Sequence, residues 1–204
     1  MIVTGAFYWK STPYMSNNVT DTPAQDTELI RPKLDLPEGI PPLNQIYLYV
    51  TGSCNLNCRH CYIEPAFGSK VKKYLPWSTL KPVFEEAQTL GLSRVKITGG
   101  EPFLHPEMCD ILYELDAMGL TTWMETNGTL IGKREAKALK ETNTQFSISI
   151  DGSTAEMHDD LRAVKGSFKR TMTGIEYARE EGLSFQIITC LHRKNRETLP
   201  DMVT

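Results

Sequence analysis

The regular alternation of apolar runs with amphipathic segments from Gln45 onward constrains the fold more than any other feature of the sequence. Five runs rich in β-branched or aromatic residues have the character of strands, at 45–51, 94–98, 121–126, 145–150 and 184–191. Between them, apolar residues recur at helical spacing, at 79–90, 106–118, 133–141 and 168–181. Strands separated by helices pair in parallel through right-handed crossovers. The sequence therefore predicts an α/β fold with about five parallel strands, in an open sheet or in part of a barrel.

The first 44 residues differ from the rest of the chain. They contain six of the twelve prolines among many Ser, Thr, Asn and Asp residues, and they show neither helical nor strand periodicity. This composition is typical of extended or turn-rich segments. We therefore predict an N-terminal extended arm or linker at 1–44, followed by a core domain at 45–204.

The charge balance argues against a nucleic-acid or membrane partner. The chain has 22 Lys and Arg residues against 25 Asp and Glu residues, which gives a net charge of -3. A protein of this charge lacks the positive field that attracts polyanions. No apolar run approaches the roughly 18–20 residues of a membrane helix, and the N-terminus lacks a signal-peptide pattern. We expect a cytoplasmic protein that binds neither nucleic acid nor membrane.

Three of the five cysteines form a compact cluster. Cys54, Cys58 and Cys61 have a three-then-two spacing, which is short enough for their thiolates to surround one metal centre. Zinc and iron–sulfur clusters both accept thiolates, and three ligands leave one coordination position open, as is typical of a catalytic centre. The alternative is a structural zinc site with a fourth ligand from His60, Cys109 or Cys190.

The other unusual motifs each come at the end of a predicted strand. Gly99-Gly100-Glu101-Pro102 follows the second strand, Thr126-Asn127-Gly128 the third, and Asp151-Gly152 the fourth. In parallel α/β folds, the carboxyl ends of the strands meet at one rim, where ligands bind. Because the cysteines follow the first strand, we expect all four motifs to lie on the same rim.

Two charged residues of this rim suit the two ends of an amino acid. Glu101 offers a carboxylate to an ammonium group, and Arg162 can bind a carboxylate through two parallel N–H donors. For the Gly99–Pro102 motif alone, a tight turn into the next helix is the alternative. For Arg162, the alternative is a surface position paired with Asp159 or Glu156.

Together these motifs resemble the radical S-adenosylmethionine (SAM) enzymes. The resemblance rests on the Cys54–Cys61 cluster followed by Tyr62, with Gly99–Pro102 at the end of the next strand. Ser149-Ile-Asp151-Gly152 and the His158-Asp159-x-x-Arg162 string are similar to the branch that usually carries a C-terminal SPASM domain. The resemblance implies a partial (β/α) barrel.

The resemblance also implies the cofactors and the residues that bind them. Cys54, Cys58 and Cys61 would hold a 4Fe–4S cluster whose fourth iron binds the amino and carboxylate groups of SAM. The residues expected to contact SAM are Gly99, Gly100 and Glu101 at the ammonium, Arg162 at the carboxylate, Ser149 at the ribose, Tyr62 and the backbone near Leu191 at the adenine, and Thr126 and Asn127 nearby.

The activity implied by the resemblance is a radical reaction. One electron from the cluster would cleave SAM to a 5′-deoxyadenosyl radical, which abstracts hydrogen from the substrate. The substrate expected by analogy is a peptide or protein, and the electron donor a protein such as ferredoxin or flavodoxin. The alternatives are a small-molecule or tetrapyrrole cofactor pathway enzyme using the same radical, a non-catalytic zinc-bound module, and an inactive fragment. The sequence assigns no further catalytic residue.

Two departures from the family pattern concern the end of the chain. The last predicted strand ends at Leu191, so we find neither a sixth strand nor a cysteine-rich extension in the 204 residues. The fifth strand would then be an exposed apolar edge. We therefore expect a core domain that is incomplete at its C-terminus.

Overall fold

The computed structural model describes residues 7–8, 36, 39–63, 66–67 and 74–202. Most of the predicted arm at 1–44 lies outside these residues, so the arm and the domain boundary at residue 45 stay predictions. No helix in the described ranges is long and apolar enough to cross a membrane.

The described residues form one main sheet and one short strand pair. The strands are β1 (Phe7–Tyr8), β2 (Gln45–Tyr49), β3 (Ser53–Cys54), β4 (Ala66–Phe67), β5 (Arg94–Thr98), β6 (Thr121–Thr126), β7 (Gln145–Ser149) and β8 (Gln186–Ile188). The main sheet has the order β1-β8-β7-β6-β5-β2, and β3 pairs with β4. All neighbours in the main sheet are parallel except β1 and β8. The prediction of an α/β fold with about five parallel strands is confirmed.

The strand order indicates which kind of α/β fold this is. From β2 through β5, β6 and β7 to β8, each parallel strand lies beside the one that precedes it in the main sheet. A doubly wound open sheet reverses its order at a switch point, whereas a barrel adds each strand beside the last. The sequential order therefore favours part of a barrel.

Five α-helices accompany these strands. They are α1 (Trp77–Thr89), α2 (Met108–Ala117), α3 (Lys133–Glu141), α4 (Ala155–Arg162) and α5 (Ser167–Glu180). All except α4 match the predicted helices to within two residues at each end. The additional helix α4 begins after Thr154, whose hydroxyl accepts a hydrogen bond from the Met157 N–H, and ends at Ala163 in the left-handed conformation.

Three predicted strands are shorter in the structure, β7 by one residue because it ends at Ser149. β2 ends at Tyr49 instead of residue 51, and Thr51 instead forms an isolated bridge with Tyr74. β8 spans Gln186–Ile188 instead of 184–191. β8 ends early because the Cys190 N–H donates to the Asp151 carboxylate at 2.8 Å instead of to a neighbouring strand.

The helices cover one face of the sheet. Apolar residues of the strands alternate toward this face and pack against the helices, in a core that includes Val95, Ile97, Met124, Phe146, Ile148, Phe84, Leu112, Leu115 and Leu139. This burial is the main stabilising contribution of the fold. It also fixes the register of each strand, because a shift by one residue would move the apolar set to the other face.

The opposite side of the sheet, which we call the open face, carries aromatic and charged side chains. Strand register places Tyr47 beside Lys96, and Lys96 beside Trp123. Tyr47 and Tyr49 are 58% and 45% exposed. Barrel interiors are usually filled with branched aliphatic residues, so the open face has an unusual composition.

A short strand from the N-terminal segment lies at the far edge of the sheet. Phe7 pairs with Ile187 and Tyr8 with Gln186, antiparallel to β8. The expectation of an exposed edge at the last strand is therefore wrong at these two positions of β8. Pairing with β1 satisfies backbone groups that an open edge would leave free.

Candidate active site

A cavity of about 160 Å³ lies at the carboxyl ends of β5, β6 and β7. All of the predicted site residues line this cavity except Glu101 and Leu191: Cys54, Cys58, Cys61, Tyr62, Gly99, Gly100, Thr126, Asn127, Ser149 and Arg162. The structure thus brings together motifs that are separated by more than one hundred residues in the chain, from Cys54 to Arg162. This is the rim that the strand-end rule predicts.

The cavity also has lining residues that the sequence analysis missed. They are Leu56, Ile63, Thr98 and Glu125; His60, considered only as a zinc ligand, also lines the cavity. Thr98 and Glu125 lie at the ends of β5 and β6, next to motifs that were singled out. Their position one residue before those motifs was the available signal.

Gly99 and Gly100 allow the cysteine segment, by which we mean residues 51–61, to lie directly on the end of β5. A Cβ atom on Gly99, whose φ is 148°, would be 2.7 Å from the Thr51 carbonyl oxygen, and one on Gly100 would overlap the Ser53 carbonyl oxygen. The Gly100 N–H donates to the Thr51 carbonyl at 2.9 Å, and the Glu101 N–H donates to the Ser53 carbonyl at 2.8 Å. The backbone of Thr51 and Ser53 therefore lies against Gly99 and Gly100, where the sequence analysis expected a ligand to approach.

The other side of the cysteine segment is attached to α4. The Asn57 N–H donates to the Arg162 carbonyl at 3.2 Å, and the Arg59 N–H donates to the Leu161 carbonyl at 2.9 Å. Carbonyls in the last turn of a helix have no partner within the helix. The cysteine segment supplies these partners and is thereby held between β5 and α4 through main-chain atoms.

Cys54 and Cys58 lie in environments that oppose ionisation of a free thiol. Burial raises the pKa of Cys54 to about 11, and burial also raises the pKa of Cys58. Donors partly offset this effect: the Leu56 N–H is 3.4 Å from the Cys54 sulfur, and Arg162 Nη1 is 3.6 Å from the Cys58 sulfur. These donors would stabilise the thiolate form, which is the form that binds metal.

Glu101 is fully buried behind the cavity and organises the end of β6. Its carboxylate accepts hydrogen bonds from the Thr126 hydroxyl at 2.6 Å, the Asn127 N–H at 2.8 Å and the Phe103 N–H at 3.3 Å. Burial raises the pKa of Glu101, and the three donors oppose that rise. Contact between Glu101 and an ammonium group stays a prediction.

Asn127 connects the cysteine segment to β6. Its side-chain amide donates to Asn55 Oδ1 at 2.9 Å, and its side-chain oxygen accepts from the Thr129 hydroxyl at 2.6 Å. Asn55 in turn donates to the Thr129 hydroxyl at 2.7 Å. Three polar side chains therefore hold two segments together beside Cys54.

Arg162 is buried, with 7% of its surface exposed. Its guanidinium pairs with Asp151 at 2.6 Å. The surface position considered as an alternative is wrong, and so is pairing with Asp159, because the Asp159 carboxylate accepts hydrogen bonds at the start of α5, including one from the Ser167 hydroxyl at 2.7 Å. Arg162 Nε has no hydrogen-bond partner among the described residues. One buried donor therefore remains available for a ligand.

Asp151 is the centre of a buried polar network that the sequence analysis did not recognise. Its carboxylate pairs with Arg162 and accepts from the Cys190 N–H. The fully buried Asn195 donates to the Asp151 and Cys190 carbonyls, each at 2.9 Å. His158 Nδ1 accepts from the Asp151 N–H at 3.2 Å. The strand-end position of Asp151 was a signal, whereas nothing in the sequence distinguished Asn195.

The residues expected at the ribose and adenine occupy different environments. Ser149 ends β7 and lines the cavity. Tyr62 is 79% exposed at its mouth, with its hydroxyl 3.4 Å from that of Tyr49. Leu191 follows β8 and does not line the cavity. The contacts of Ser149, Tyr62 and the Leu191 backbone with SAM stay predictions.

A comparison with models of protein families shows to which family the chain belongs. The family model described as "Radical SAM superfamily" matches residues 48–204, which is most of the chain. The chain belongs to the radical SAM superfamily. Members of this superfamily use a 4Fe–4S cluster and SAM.

Individual relatives of this radical SAM protein differ in what they act on. The chain is 34% identical over 168 residues to the AdoMet-dependent heme synthase of Oleidesulfovibrio alaskensis, which covers 82% of the chain and 43% of the synthase. It is 31% identical over 159 residues to the subtilosin biosynthesis protein AlbA of Bacillus subtilis, covering 75% of the chain and 34% of AlbA. The chain thus spans less than half the length of either curated relative.

Solved structures support the fold of this radical SAM chain. Streptococcus suis SuiB bound to S-adenosylmethionine matches with a TM-score of 0.67 and 21% identity, over 79% of this chain and 37% of SuiB. At this level of identity the match shows the fold alone. The partial barrel implied by the resemblance is confirmed.

The radical SAM donor set fits a 4Fe–4S cluster better than a single ion. In a cubane each cysteine binds a different iron atom, so the three thiolates do not converge on one point. The described residues contain no group of three or more His, Cys, Asp or Glu side chains placed to hold one metal ion. The family match favours the cluster over the structural zinc site considered as an alternative.

Proposed function

We propose that this chain holds a 4Fe–4S cluster through Cys54, Cys58 and Cys61 and binds SAM in the rim cavity. The observation that carries the proposal is that these cysteines line one cavity with the ends of three parallel strands. Such a cluster supplies one electron for the reductive cleavage of SAM to a 5′-deoxyadenosyl radical, which abstracts hydrogen from the substrate.

The residues of the chain bind and orient SAM in this proposal. Arg162 donates from Nε to the SAM carboxylate while Asp151 fixes the guanidinium plane. Glu101 accepts the ammonium and also holds Thr126 and the Asn127 backbone in position. The Gly99-Gly100 backbone borders the same group.

The other end of SAM is bound by residues from later strands in this proposal. Ser149 binds the ribose hydroxyls, and Tyr62 with the backbone near Leu191 borders the adenine. The electron donor is a small redox protein such as ferredoxin or flavodoxin, and the reaction takes place in the cytoplasm.

Two substrate classes are candidates. A peptide or protein substrate is supported by similarity to AlbA, a bacteriocin biosynthesis protein. A tetrapyrrole substrate is supported by the higher identity to an AdoMet-dependent heme synthase. Adding each substrate class to the reduced holoenzyme distinguishes them, because the true substrate is expected to increase formation of 5′-deoxyadenosine.

Anaerobic reconstitution tests the cofactor proposal. We expect about four iron and four sulfide per chain, and a change in the electron paramagnetic resonance spectrum of the reduced protein on addition of SAM. Cys58→Ala should lose the cluster, whereas Cys109→Ala, on the buried side of α2, should keep it. Bound zinc without sulfide would contradict the proposal, and so would an electron paramagnetic resonance spectrum that does not change when SAM is added.

A further inference from the structure

Asn195 is fully buried in the turn that follows β8, and both polar atoms of its side chain are hydrogen-bonded. Its Nδ2 donates to the carbonyl oxygens of Asp151 and Cys190, each at 2.9 Å, and its Oδ1 accepts from the His192 N–H at 2.8 Å. Burying an amide costs free energy unless hydrogen bonds compensate for the lost water. Asn195 has these hydrogen bonds, and they join the end of β7 to the segment after β8.

These contacts begin where the pairing of β7 with β8 ends. Ser149 pairs with Ile188, and the Ile150 N–H donates to the Ile188 carbonyl at 3.0 Å. Beyond that point, the Asn195 side chain connects the carbonyls of Asp151 and Cys190. Asn195 therefore determines where the Cys190 N–H lies relative to the Asp151 carboxylate.

The Asp151 carboxylate divides its two oxygens between different partners. Oδ1 accepts from the Cys190 N–H at 2.8 Å, and Oδ2 lies 2.6 Å from Nη2 of Arg162. A guanidinium commonly binds one carboxylate through two parallel N–H donors, and Nε and Nη2 form such a pair on one edge. Here only Nη2 contacts Asp151, and Nε has no hydrogen-bond partner among the described residues. The Cys190 N–H thus keeps Oδ1 away from Nε.

Nε is the donor that Arg162 has left for a ligand of the rim cavity. Nη1, on the other side of the guanidinium, lies 3.6 Å from the Cys58 sulfur, and Arg162 lines the cavity. A rotation of the Asp151 carboxylate would bring both of its oxygens onto Nε and Nη2. That two-point pair is the more favourable one for an isolated arginine and carboxylate, and it would leave no free donor on that edge.

We propose that Asn195 is a positioning residue for SAM. Through the Cys190 N–H, it holds Asp151 on Nη2 alone and so keeps Arg162 Nε free for the SAM carboxylate. The inference rests on the proposed function, because it concerns how the same site binds SAM. It assigns to a side chain outside the rim cavity the selection of a ligand that carries a carboxylate.

Binding of SAM and of decarboxylated SAM to the cluster-loaded protein tests the inference. Decarboxylated SAM keeps the adenosine, the sulfonium and the ammonium, and equilibrium dialysis without reductant measures both dissociation constants. Asn195→Ala should weaken the binding of SAM by about tenfold, because one charge-assisted hydrogen bond is lost. The same variant should bind decarboxylated SAM as tightly as the wild-type protein does, because this ligand has no carboxylate for Nε.

Arg196→Ala is the matched control. Arg196 lies next to Asn195 in the same turn but is exposed, and it pairs with the exposed Glu197. Its replacement should leave both dissociation constants unchanged. An equal loss of affinity for the two ligands in Asn195→Ala would show a general effect on the structure of the site and would overturn the inference. Unchanged binding of SAM by Asn195→Ala would overturn it as well.

A double-mutant cycle tests whether Asn195 acts through Arg162. Arg162→Lys keeps a cation for Asp151 but has no Nε. Adding Asn195→Ala to Arg162→Lys should therefore weaken the binding of SAM no further, since the donor that Asn195 keeps free is already absent. A further tenfold loss in the double variant would contradict the inference.

Asn195→Asp keeps the test informative if Asn195→Ala folds poorly. Aspartate has nearly the same size and keeps an acceptor for the His192 N–H, but it lacks the two amide donors. This variant should also weaken the binding of SAM and spare that of decarboxylated SAM. An equal effect on the two ligands, or none, would count against the inference.

The two proposals fail in distinguishable ways. A wild-type protein that assembles no cluster, or that does not bind SAM, would contradict the proposed function and this inference with it. A wild-type protein that assembles the cluster and binds SAM, with a preference over decarboxylated SAM that Asn195→Ala does not reduce, would contradict the role of Asn195 alone.

Discussion

The pairing of Arg162 with Asp151 shows how a buried charge is accommodated beside the rim cavity. Both side chains are almost fully buried, and each depends on the other for its charge partner. Removing one member of a buried pair leaves the other charge uncompensated, which costs about 3–5 kcal/mol. The pair therefore contributes to stability and also presents Arg162 to the cavity in a fixed orientation.

We expect Asp151→Asn to destabilise the protein strongly, by about 3–5 kcal/mol, because Arg162 would remain buried without its anion. Urea unfolding measures the change. Asp160→Asn is the matched control, because Asp160 forms exposed ion pairs with Arg59 and Lys194. A similar loss of stability in both variants would argue against the role of the buried pair.

His158 makes stability depend on pH. Burial lowers the pKa of His158 from 6.5 to about 4, so the folded protein keeps this side chain neutral where the unfolded chain protonates it. As the pH falls from 6.5 toward 4, the unfolded state binds more protons and the stability conferred by the neutral form is lost. For one group, the free energy of unfolding then falls by up to about 1.4 kcal/mol per pH unit.

Comparison with His158→Asn isolates this effect. The Oδ1 of asparagine occupies the position of Nδ1, so it can still accept the hydrogen bond from the Asp151 N–H, but asparagine does not titrate. Urea unfolding between pH 4.5 and 7.5 should therefore show a smaller loss of stability with falling pH in the variant. The same dependence of the free energy of unfolding on pH in both proteins would show that His158 does not contribute to that dependence.

At the scale of elements, the contact between β5 and the cysteine segment depends on glycine. A Cβ on Gly100 would overlap the Ser53 carbonyl, so Gly100→Ala should displace the backbone next to Cys54. We expect a loss of about 1–3 kcal/mol and a reduced iron content after reconstitution. Gly52→Ala, where a Cβ meets nothing within 4 Å, should change stability and iron content little. Normal iron content in Gly100→Ala would contradict this account.

The elements were predictable because apolar periodicity determines which residues face the core. The span of α3 and that of β6 agree with the sequence prediction, since both have strong periodic patterns. The end of β8 was not predictable, because it depends on a hydrogen bond from Cys190 to the distant Asp151. The site was likewise predicted through its motifs but not through Asn195, whose role is set only by tertiary contacts.

At the scale of the whole molecule, the parallel arrangement places the rim cavity at one end of the sheet. We expect SAM, added to the cluster-loaded protein without reductant, to protect amides at the ends of β5, β6 and β7 from hydrogen exchange. Amides at the beginnings of the same strands, near Arg94, Thr121 and Gln145, should exchange at unchanged rates.

A cluster-free Cys58→Ala protein serves as the control for this experiment. It should show no protection at the strand ends, because the proposed binding of SAM requires the open iron position. Protection spread evenly over the sheet would argue against a site at the rim.

The cysteine segment is attached to β5 and α4 through main-chain hydrogen bonds, which has a consequence for the evolution and redesign of this protein. Side-chain replacements on the open face leave those anchors untouched. Residues such as Lys96 or Trp123 can therefore change while the positions of Cys54, Cys58 and Cys61 are conserved. Selection can thus alter one face of the sheet without displacing the three cysteines.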